Sequence, residues 1–301
     1  MALVKAYSER FDTEQALTAC HLTMTNTCLD GSFHDDTLKQ ALSHHLSSGG
    51  HYTRLSLALD ASATLELPQD DAVYIASACE LLHNASLIHD DLQDRSAYRR
   101  GKLAVWKQFN PNIAICLGDL MLSGSYGLLA RVSPACNPSN LVQIMHTAVA
   151  STVHGQAADL DYHAQQPLSL DAYETIVALK SASLLSLALE LPLAASGQQA
   201  LLPTVRRASR AFGIAYQISD DLQDIEQDRH RNGGQPLNAV LLLEREHPPQ
   251  EARRIAVQRA FQHLTQVKRS LEGLPADCGR LMMHHVVRLY QTLEQGEQTH
   301  D

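Results

Sequence analysis

Apolar residues recur three and four positions apart over most of the chain, which is the spacing of one face of an α-helix. The pattern is strongest in five long stretches, at residues 71–92, 113–131, 139–161, 171–195 and 204–225. Alternating runs of β-branched residues, which are typical of strands, are essentially missing. Gly and Pro gather in the segments between, at residues 47–52, 99–102, 133–139, 196–203 and 231–236. The pattern predicts an all-α protein of about ten helices.

The chain is long enough for one large domain or two ordinary ones, with 301 residues and 45% hydrophobic content. No linker-like tract divides it, and no repeat with a period of about 20–50 residues is visible. We therefore predict a single all-α domain over residues 1–301.

Charge and targeting signals narrow the class of protein. A net charge of -9 argues against a general binder of nucleic acid. The six cysteines include no CxxC pair and predict reduced, mostly buried thiols. The N-terminus lacks the pattern of a signal peptide, and no window reaches the ~18 apolar residues that would span a bilayer. We expect a cytoplasmic protein without stable membrane insertion.

One acidic pattern occurs twice in the chain, as "HDDLQD" at residues 89–94 and as "DDLQD" at residues 220–224. On a helix, Asp90 and Asp94 share a face with Glu80 and His83, and Asp91 lies at its edge. The same spacing aligns the residues of the second copy, Gly213, Gln217, Asp220 and Asp224. Each predicted helix therefore carries carboxylates near its C-terminal end.

Carboxylates at a helix C-terminus face the negative end of the dipole, so a cation is expected to compensate for them. Mg²⁺ prefers oxygen ligands and completes its octahedron with water and phosphate oxygens, so two facing carboxylate clusters would form a diphosphate receptor. A single acidic run is more often a solvated helix end, but the doubled pattern favours the metal site. A calcium loop fits poorly, because neither copy has the Gly and the spaced ligands of an EF-hand.

From about residue 45 to about residue 240, the chain resembles the trans-isoprenyl diphosphate synthases. Both acidic motifs match, the first with "RRG" after it and the second with Gln217 before it. Between them, "HGQAADL" is similar to the family's "GQxxDL", and "LKSASL" to its Lys-Thr motif, with Ser181 in place of Thr. "SSGGHYTR" stands where the family has "GGKxxR".

The resemblance implies an isoprenoid synthase-type helical bundle around a central apolar cavity. It also implies Mg²⁺ as cofactor, about three ions per site, and a homodimer. The implied metal ligands are Asp90, Asp94 and Asp220, with Asp91, Asp221 and Asp224 as direct or water-mediated support. The implied catalytic residues are Asp90, Asp94, Lys180, Asp220 and Gln217.

The same resemblance implies two diphosphate substrates, one allylic and one isopentenyl. Arg99 and Lys180 would neutralise the allylic diphosphate that leaves, and Ser181 and Gln217 are further implied substrate-binding residues. Isopentenyl diphosphate would be bound by Arg54, His83 and Arg100, with His51 at the position of the family's Lys. Cations at the leaving group lower the barrier because charge accumulates there as the C–O bond breaks.

Some residues depart from the family pattern. Besides His51, Leu103 and Ala104 replace a Pro-Thr pair, and the segment after Asp224 is shorter and lacks the family's two lysines. Arg229 and Arg231 are the candidate substitutes. These losses leave two alternatives open, a class I terpene cyclase that uses the allylic diphosphate alone and a non-catalytic partner subunit of a synthase. The full second DDxxD and only 5% aromatic residues favour the linear synthase.

Product length depends on the residues that precede Asp90, because one helical turn rises about 5.4 Å, close to one isoprene unit. Ala85 and Ser86, five and four residues before Asp90, are both small. We therefore expect a C20 product, with C15 as the next candidate.

Overall fold

The computed structural model of the chain describes residues 13–29, 36–162, 168–230 and 237–298. Most of these residues are helical and very few lie in strands, so the predicted all-α class is confirmed. They divide into two compact units whose boundaries follow Met145, Glu190 and Gln198. The prediction of one domain over residues 1–301 stays a prediction.

The first unit is built around α4, which packs against α1, α3 and α6. Its elements are α1 (Thr13–Leu29), α2 (Asp36–Leu46), α3 (Thr53–Thr64), α4 (Gln69–Gln93), β1 (Tyr98–Arg99), β2 (Lys102–Leu103), α5 (Val105–Gln108), α6 (Pro111–Ala130) and the start of α7 (Pro138–Leu160). The side chains of Ile75, Leu81 and Ile88 are among the largest that are fully buried. Burying this apolar surface supplies the main driving force for the helix to pack.

A β-hairpin with two residues in each strand follows α4 and pairs Tyr98 with Leu103 and Arg99 with Lys102. Its turn residues Arg100 (φ 51°) and Gly101 (φ 77°) both have positive φ, which is the pattern of a type I′ turn. The sequence predicted a turn at this point, but not the strands on either side of it.

The second unit is built around α10, which packs against α12 and against a π turn (Ala178–Ala182). Its elements are the rest of α7, α8 (Leu170–Val177), the π turn, α9 (Ser183–Ala195, of which Leu191–Ala195 belong to the first unit), α10 (Leu202–Arg229), α11 (Ala239–Leu243), α12 (Pro249–Leu271) and α13 (Arg280–Gln298). The long stretch predicted at 171–195 is thus helical but interrupted by a widened turn.

The expectation that no window is long and apolar enough to span a bilayer was wrong, because two of the described helical stretches meet that test by length and composition alone. In Leu170–Ala195, 72% of the apolar window is buried within the protein, which is typical of a core helix. In α6 the buried share is 44%, and Ile115 is among the exposed apolar residues.

The six cysteines are free thiols and five are buried, as the sequence predicted.

Candidate active site

The first acidic motif lies at the C-terminal end of α4, where Asp90 and Asp94 are half-buried. Because these residues are four positions apart, they lie on the same face of the helix. Asp91 is different, since only 2% of its surface is exposed. Asp90 and Asp94 are therefore the motif's better candidates for direct contact with a cation.

Asp91 forms a two-point ion pair with Arg99, which follows it on β1. The Arg99 Nη2 and Nε atoms lie 2.5 Å and 3.0 Å from Asp91 Oδ1. Arg99 Nη2 is also 3.8 Å from Asp90 Oδ2. Burial lowers the pKa of Arg99, but the bonds and charge of Asp91 outweigh burial and raise it. The ion pair therefore fixes the positively charged guanidinium of Arg99 beside the acidic motif.

Arg54 and His83, two of the residues predicted to bind isopentenyl diphosphate, lie in contact with each other. Arg54 Nη1 donates to His83 Nε2 at 3.1 Å, so this imidazole is neutral, with its proton on Nδ1. Burial and the charge of Arg54 lower the pKa of His83 well below its usual value. His83 therefore acts as an acceptor that orients the guanidinium of Arg54.

A buried polar network beneath this pair was given no role by the sequence analysis. Glu80, only 3% exposed, accepts from the Leu55 backbone N–H at 3.3 Å and from Asn84 Nδ2 at 3.1 Å. Asn84 Oδ1 in turn lies 2.9 Å from His45 Nε2. Glu80 thus satisfies a backbone donor in the first turn of α3, next to Arg54. The sequence signal for this role was that Glu80 lies on the same face of α4 as His83.

Arg100 lies against the glycine-containing loop before α3. Its Nη1 donates to the carbonyl of Gly49, and a Cβ at Gly50 would lie 2.7 Å from this nitrogen. His51, at the end of the same loop, is exposed. The hairpin and the loop therefore carry Arg100 and His51 in one part of the first unit.

The two residues expected to control product length differ in burial. Ala85 is only 2% exposed, whereas Ser86 is half-buried and donates its hydroxyl to the carbonyl of His83 at 2.7 Å. Both leave little side-chain bulk on α4 in the turn before Asp90. Their role in chain length stays a prediction.

The second acidic motif on α10 repeats the division seen in the first. Asp220 is half-buried, Asp224 is exposed, and Asp221 is 3% exposed. Asp221 accepts hydrogen bonds from the Tyr173 hydroxyl at 2.6 Å, the Ala239 N–H at 2.7 Å and Gln217 Nε2 at 2.9 Å. In both motifs the second Asp is thus held by protein donors.

Burial, together with the charges of Asp221 and Asp224, raises the pKa of Asp220 to about 7. Burial also raises the pKa of Asp221 to about 6, although the hydrogen bonds from Gln217 and Tyr173 oppose this shift. The helix continues to Arg229, so this motif lies more than one turn before the C-terminus rather than at the end that the sequence predicted. This part of α10 crowds carboxylates whose negative charge a cation would stabilise.

Asn238 and Tyr173 support this motif and were missed by the sequence analysis. Asn238 is fully buried and donates to the Asp221 carbonyl and to Asp228 Oδ2, both at 3.0 Å. Its Oδ1 accepts from the Val240 N–H at 2.9 Å and so caps α11. Asn preceding an apolar run was a helix-cap signal, but neither residue carried a sign of contact with Asp221.

Lys180 and Ser181 lie on the π turn, and both are half-buried. Lys180 Nζ is 2.6 Å from Asp159 Oδ2 on α7, so the Lys-Ser and "GQAADL" motifs meet through an ion pair. Gln156 is half-buried one turn before Asp159.

Of the two arginines considered as lysine substitutes, Arg229 pairs with Glu244 at 3.0 Å, and Arg231 lies outside the described residues.

No three His, Cys, Asp or Glu side chains in the described ranges converge closely enough to hold a metal ion alone. Mg²⁺ is commonly bound through only one or two carboxylates, with water and phosphate oxygens as its other ligands. Asp90 with Asp94, and Asp220 with Asp224, offer oxygen donors of that kind. The carboxylates of each motif therefore fit Mg²⁺.

Known proteins that are similar to this chain include several prenyl diphosphate synthases. The sequence model of the family described as Polyprenyl synthetase matches residues 35–237. A short chain isoprenyl diphosphate synthase from Methanothermobacter thermautotrophicus is 29% identical over 199 residues, covering 66% of this chain and 61% of that protein. A geranylgeranyl diphosphate synthase from Mycobacterium tuberculosis is 30% identical over 182 residues, covering 60% of this chain and 52% of that protein. The match thus spans less than two thirds of either relative.

A solved structure extends the similarity over most of the chain. The decaprenyl diphosphate synthase from Rhodobacter capsulatus superposes with a TM-score of 0.78 at 20% identity, and the match covers 94% of this chain and 96% of that one. This likeness shows a shared all-α fold.

Proposed function

Because this chain belongs to the polyprenyl synthetase family, we propose that it is a trans-prenyltransferase that condenses an allylic diphosphate with isopentenyl diphosphate. The reaction forms one C–C bond and releases diphosphate and a proton. The observation that carries the proposal is the pair of acidic motifs, each with outward Asp side chains and a second Asp held by the protein.

Ionisation of the allylic diphosphate is the step that these carboxylates support. Within each unit a pair of carboxylates would hold Mg²⁺, Asp90 with Asp94 on α4 and Asp220 with Asp224 on α10. Bound Mg²⁺ would neutralise the charge that develops on the departing diphosphate. Arg99 and Lys180, each fixed by an ion pair to a carboxylate of its own unit, add cations that need little reorganisation during the reaction.

We assign isopentenyl diphosphate to Arg54, His83 and Arg100, with His51 in support. The Arg54 guanidinium is held by His83, and Arg100 is held by the Gly49 carbonyl. Pre-positioned donors bind a diphosphate with less loss of side-chain entropy than flexible ones. The exposed His51 supplies an imidazole at the position where a lysine ammonium would bind an anion more strongly.

The proposed product is a linear short-chain prenyl diphosphate, C20 first and C15 next. Support comes from the small side chains of Ala85 and Ser86 in the turn before Asp90. The buried apolar residues of α4 that precede Asp90 would keep water from the allylic cation, so that carbon rather than water attacks it.

We further propose that the enzyme is a cytoplasmic homodimer. The partly exposed apolar surface of α6, with Ile115 46% exposed, is the support within the first unit. Light scattering coupled to size exclusion would test the dimer, and a monomeric mass at micromolar concentration would contradict it.

The test of the activity uses the purified full chain with Mg²⁺ and isopentenyl diphosphate. Dimethylallyl, geranyl and farnesyl diphosphates are supplied in turn, and products are identified by mass. We expect chain extension that stops when Mg²⁺ is chelated, with Asp90→Asn as the matched inactive control. Hydrocarbon or terpene alcohol from the allylic substrate alone would identify a cyclase. No turnover without a partner protein would favour the non-catalytic subunit.

A further inference from the structure

The π turn that carries Lys180 is contacted by a glycine from each of two helices. A Cβ at Gly155 on α7 would overlap the backbone nitrogen of Lys180 and lie 2.7 Å from the Leu179 carbonyl carbon. A Cβ at Gly213 on α10 would lie 2.8 Å from Ala182 Cβ. Distances below 3.0 Å are essentially never seen for real Cβ atoms, so both helices approach the turn as only glycine allows.

Glycine in the interior of a helix costs about 1 kcal/mol relative to alanine. Both positions therefore carry a cost in helix propensity, and close packing is the physical reason that the structure offers for it. A π turn is itself rare and is found mostly as a single widened turn within α-helices, frequently at functional sites. Here α7 contacts the widened turn at Leu179 and Lys180, and α10 contacts it at Ala182.

Each glycine lies one helical turn before a polar side chain of the candidate site. Four residues after Gly155, Asp159 accepts the ion pair from Lys180 Nζ at 2.6 Å. Four residues after Gly213, Gln217 donates to Asp221 at 2.9 Å. Because residues four apart share a helix face, the depth of each glycine contact also sets how closely these polar groups approach the π turn.

We propose that Gly155 and Gly213 are positioning residues, which hold the π turn so that Lys180 is placed against Asp159 and at a fixed distance from the acidic motif on α10. The proposal rests on the proposed function only in assigning Lys180 to the allylic diphosphate. The two glycines contact no substrate themselves and act through the backbone of the turn.

The test is a methyl-exchange cycle at the Gly213–Ala182 contact. Gly213→Ala adds the methyl that the contact excludes, and Ala182→Gly removes the methyl that it would meet. We expect Gly213→Ala to raise the allylic KM and lower kcat/KM by about ten- to a hundredfold, because small misplacements are costly. The double variant Ala182→Gly/Gly213→Ala should recover most of this loss, since the approaches that remain, to Ala182 Cα at 3.2 Å and to Ala182 N at 3.4 Å, are longer than the one removed.

Two comparisons separate positioning from simple loss of folding. A protein that is only destabilised contains less active enzyme, so its apparent kcat falls but both KM values are unchanged. A misplaced Lys180 instead raises the allylic KM, while the isopentenyl KM stays within about twofold of the wild-type value. Gly273→Ala is the control in the same unit, because its Cβ would meet only the Ser270 carbonyl, at 3.9 Å. This variant should keep both KM values.

The melting temperatures of the four proteins in the cycle give a readout that needs no activity. Overpacking should lower the Tm of Gly213→Ala by several degrees, and the double variant should regain it. Wild-type kinetics for Gly213→Ala, or a double variant no better in Tm and allylic KM, would overturn the proposal. If Gly213→Ala is insoluble, a soluble, active double variant supports the proposal and an insoluble one overturns it. Inactive wild-type protein would instead refute the proposed function, while the Tm cycle still decides on the contact.

Discussion

Tyr173 donates its hydroxyl to Asp221 Oδ2 at 2.6 Å, and both residues are almost completely buried. The bond joins α8 to the acidic motif of α10. It leaves the outward carboxylates Asp220 and Asp224 as the part of that motif that can meet a cation.

Removing this hydroxyl should damage both stability and catalysis. Tyr173→Phe leaves a buried carboxylate short of one donor, so we expect a loss of about 1–3 kcal/mol in the free energy of unfolding. A lower kcat should accompany it, because Asp220 lies next to the weakened contact. Urea denaturation and steady-state kinetics measure the two effects. Tyr290→Phe, at an exposed tyrosine on α13, is the control, and equal losses in both variants would contradict the assignment.

Asp90 and Asp91 should respond differently to substitution although they are neighbours. Asp90→Ala should lower kcat by roughly 100- to 1000-fold with little change in the unfolding midpoint, because its role is electrostatic. Asp91→Ala removes the partner of the partly buried Arg99, so we expect about 2 kcal/mol or more of lost stability. Comparable unfolding free energies for the two variants would show that the Asp91–Arg99 pair is not structural.

Glu80 should influence isopentenyl diphosphate affinity without touching the substrate. Gln has one carbonyl oxygen, so Glu80→Gln cannot keep acceptors for both the Leu55 N–H and the Asn84 amide. The turn that carries Arg54 loosens, and the isopentenyl KM should rise about three- to tenfold with kcat nearly unchanged. The control is Glu66→Gln, an exposed carboxylate of the same unit. An isopentenyl KM equal to that of the control would exclude this role.

A bulky side chain at position 85 should shorten the product. Ala85→Phe fills space in the turn before Asp90, and we expect the main product to change from C20 to C15 or shorter. Because Ala85 is only 2% exposed, overpacking should also cost about 1–3 kcal/mol of stability. Chromatography of the dephosphorylated products measures chain length, and an unchanged distribution from folded protein would remove Ala85 from the argument.

Glu174 should give the second unit an acid-sensitive contribution to stability. Burial raises the pKa of this carboxyl, but hydrogen bonds from His263 and Arg259 outweigh it and lower the pKa from 4.5 to about 2. A group with a lowered folded-state pKa stabilises the protein above its unfolded-state pKa, and this contribution is lost as pH falls toward the folded-state value.

Glu174→Gln should therefore cost about 1–3 kcal/mol near pH 7. The difference from the wild-type protein should shrink between pH 4.5 and about 2. Urea denaturation across this range measures it. A difference that does not vary with pH would mean that the carboxylate charge contributes nothing.

Helical periodicity predicted the ends of the five named stretches within a few residues, as for α4 (Gln69–Gln93) against the predicted 71–92. It could not predict the π turn, because "ALKSA" continues the same apolar spacing as the helices on either side. The contacts of Gly155 and Gly213 that accompany this turn arise only when helices pack.

The spacing of the Asp residues predicted which of them share a helix face. It did not predict which of them would be buried and bonded to other elements. Asp91 and Asp221 differ from their neighbours through partners on other elements, Arg99 on β1 and Tyr173 on α8. A single sequence shows which residues share a helix face. It does not show which distant donor reaches that face, so Asn238 and Tyr173 could not be found in this way.

The hairpin after α4 directs two adjacent arginines to different partners. Arg99 on β1 pairs with the Asp91 carboxylate, and Arg100 in the type I′ turn donates to the Gly49 carbonyl. A single inserted residue would shift the pairing and exchange the faces of the side chains that follow. This short connection should therefore tolerate changes of side chain on its exposed surface, but hardly any change of length. In a library of random insertions and deletions, residues 98–103 should stand out as a gap among the surviving clones.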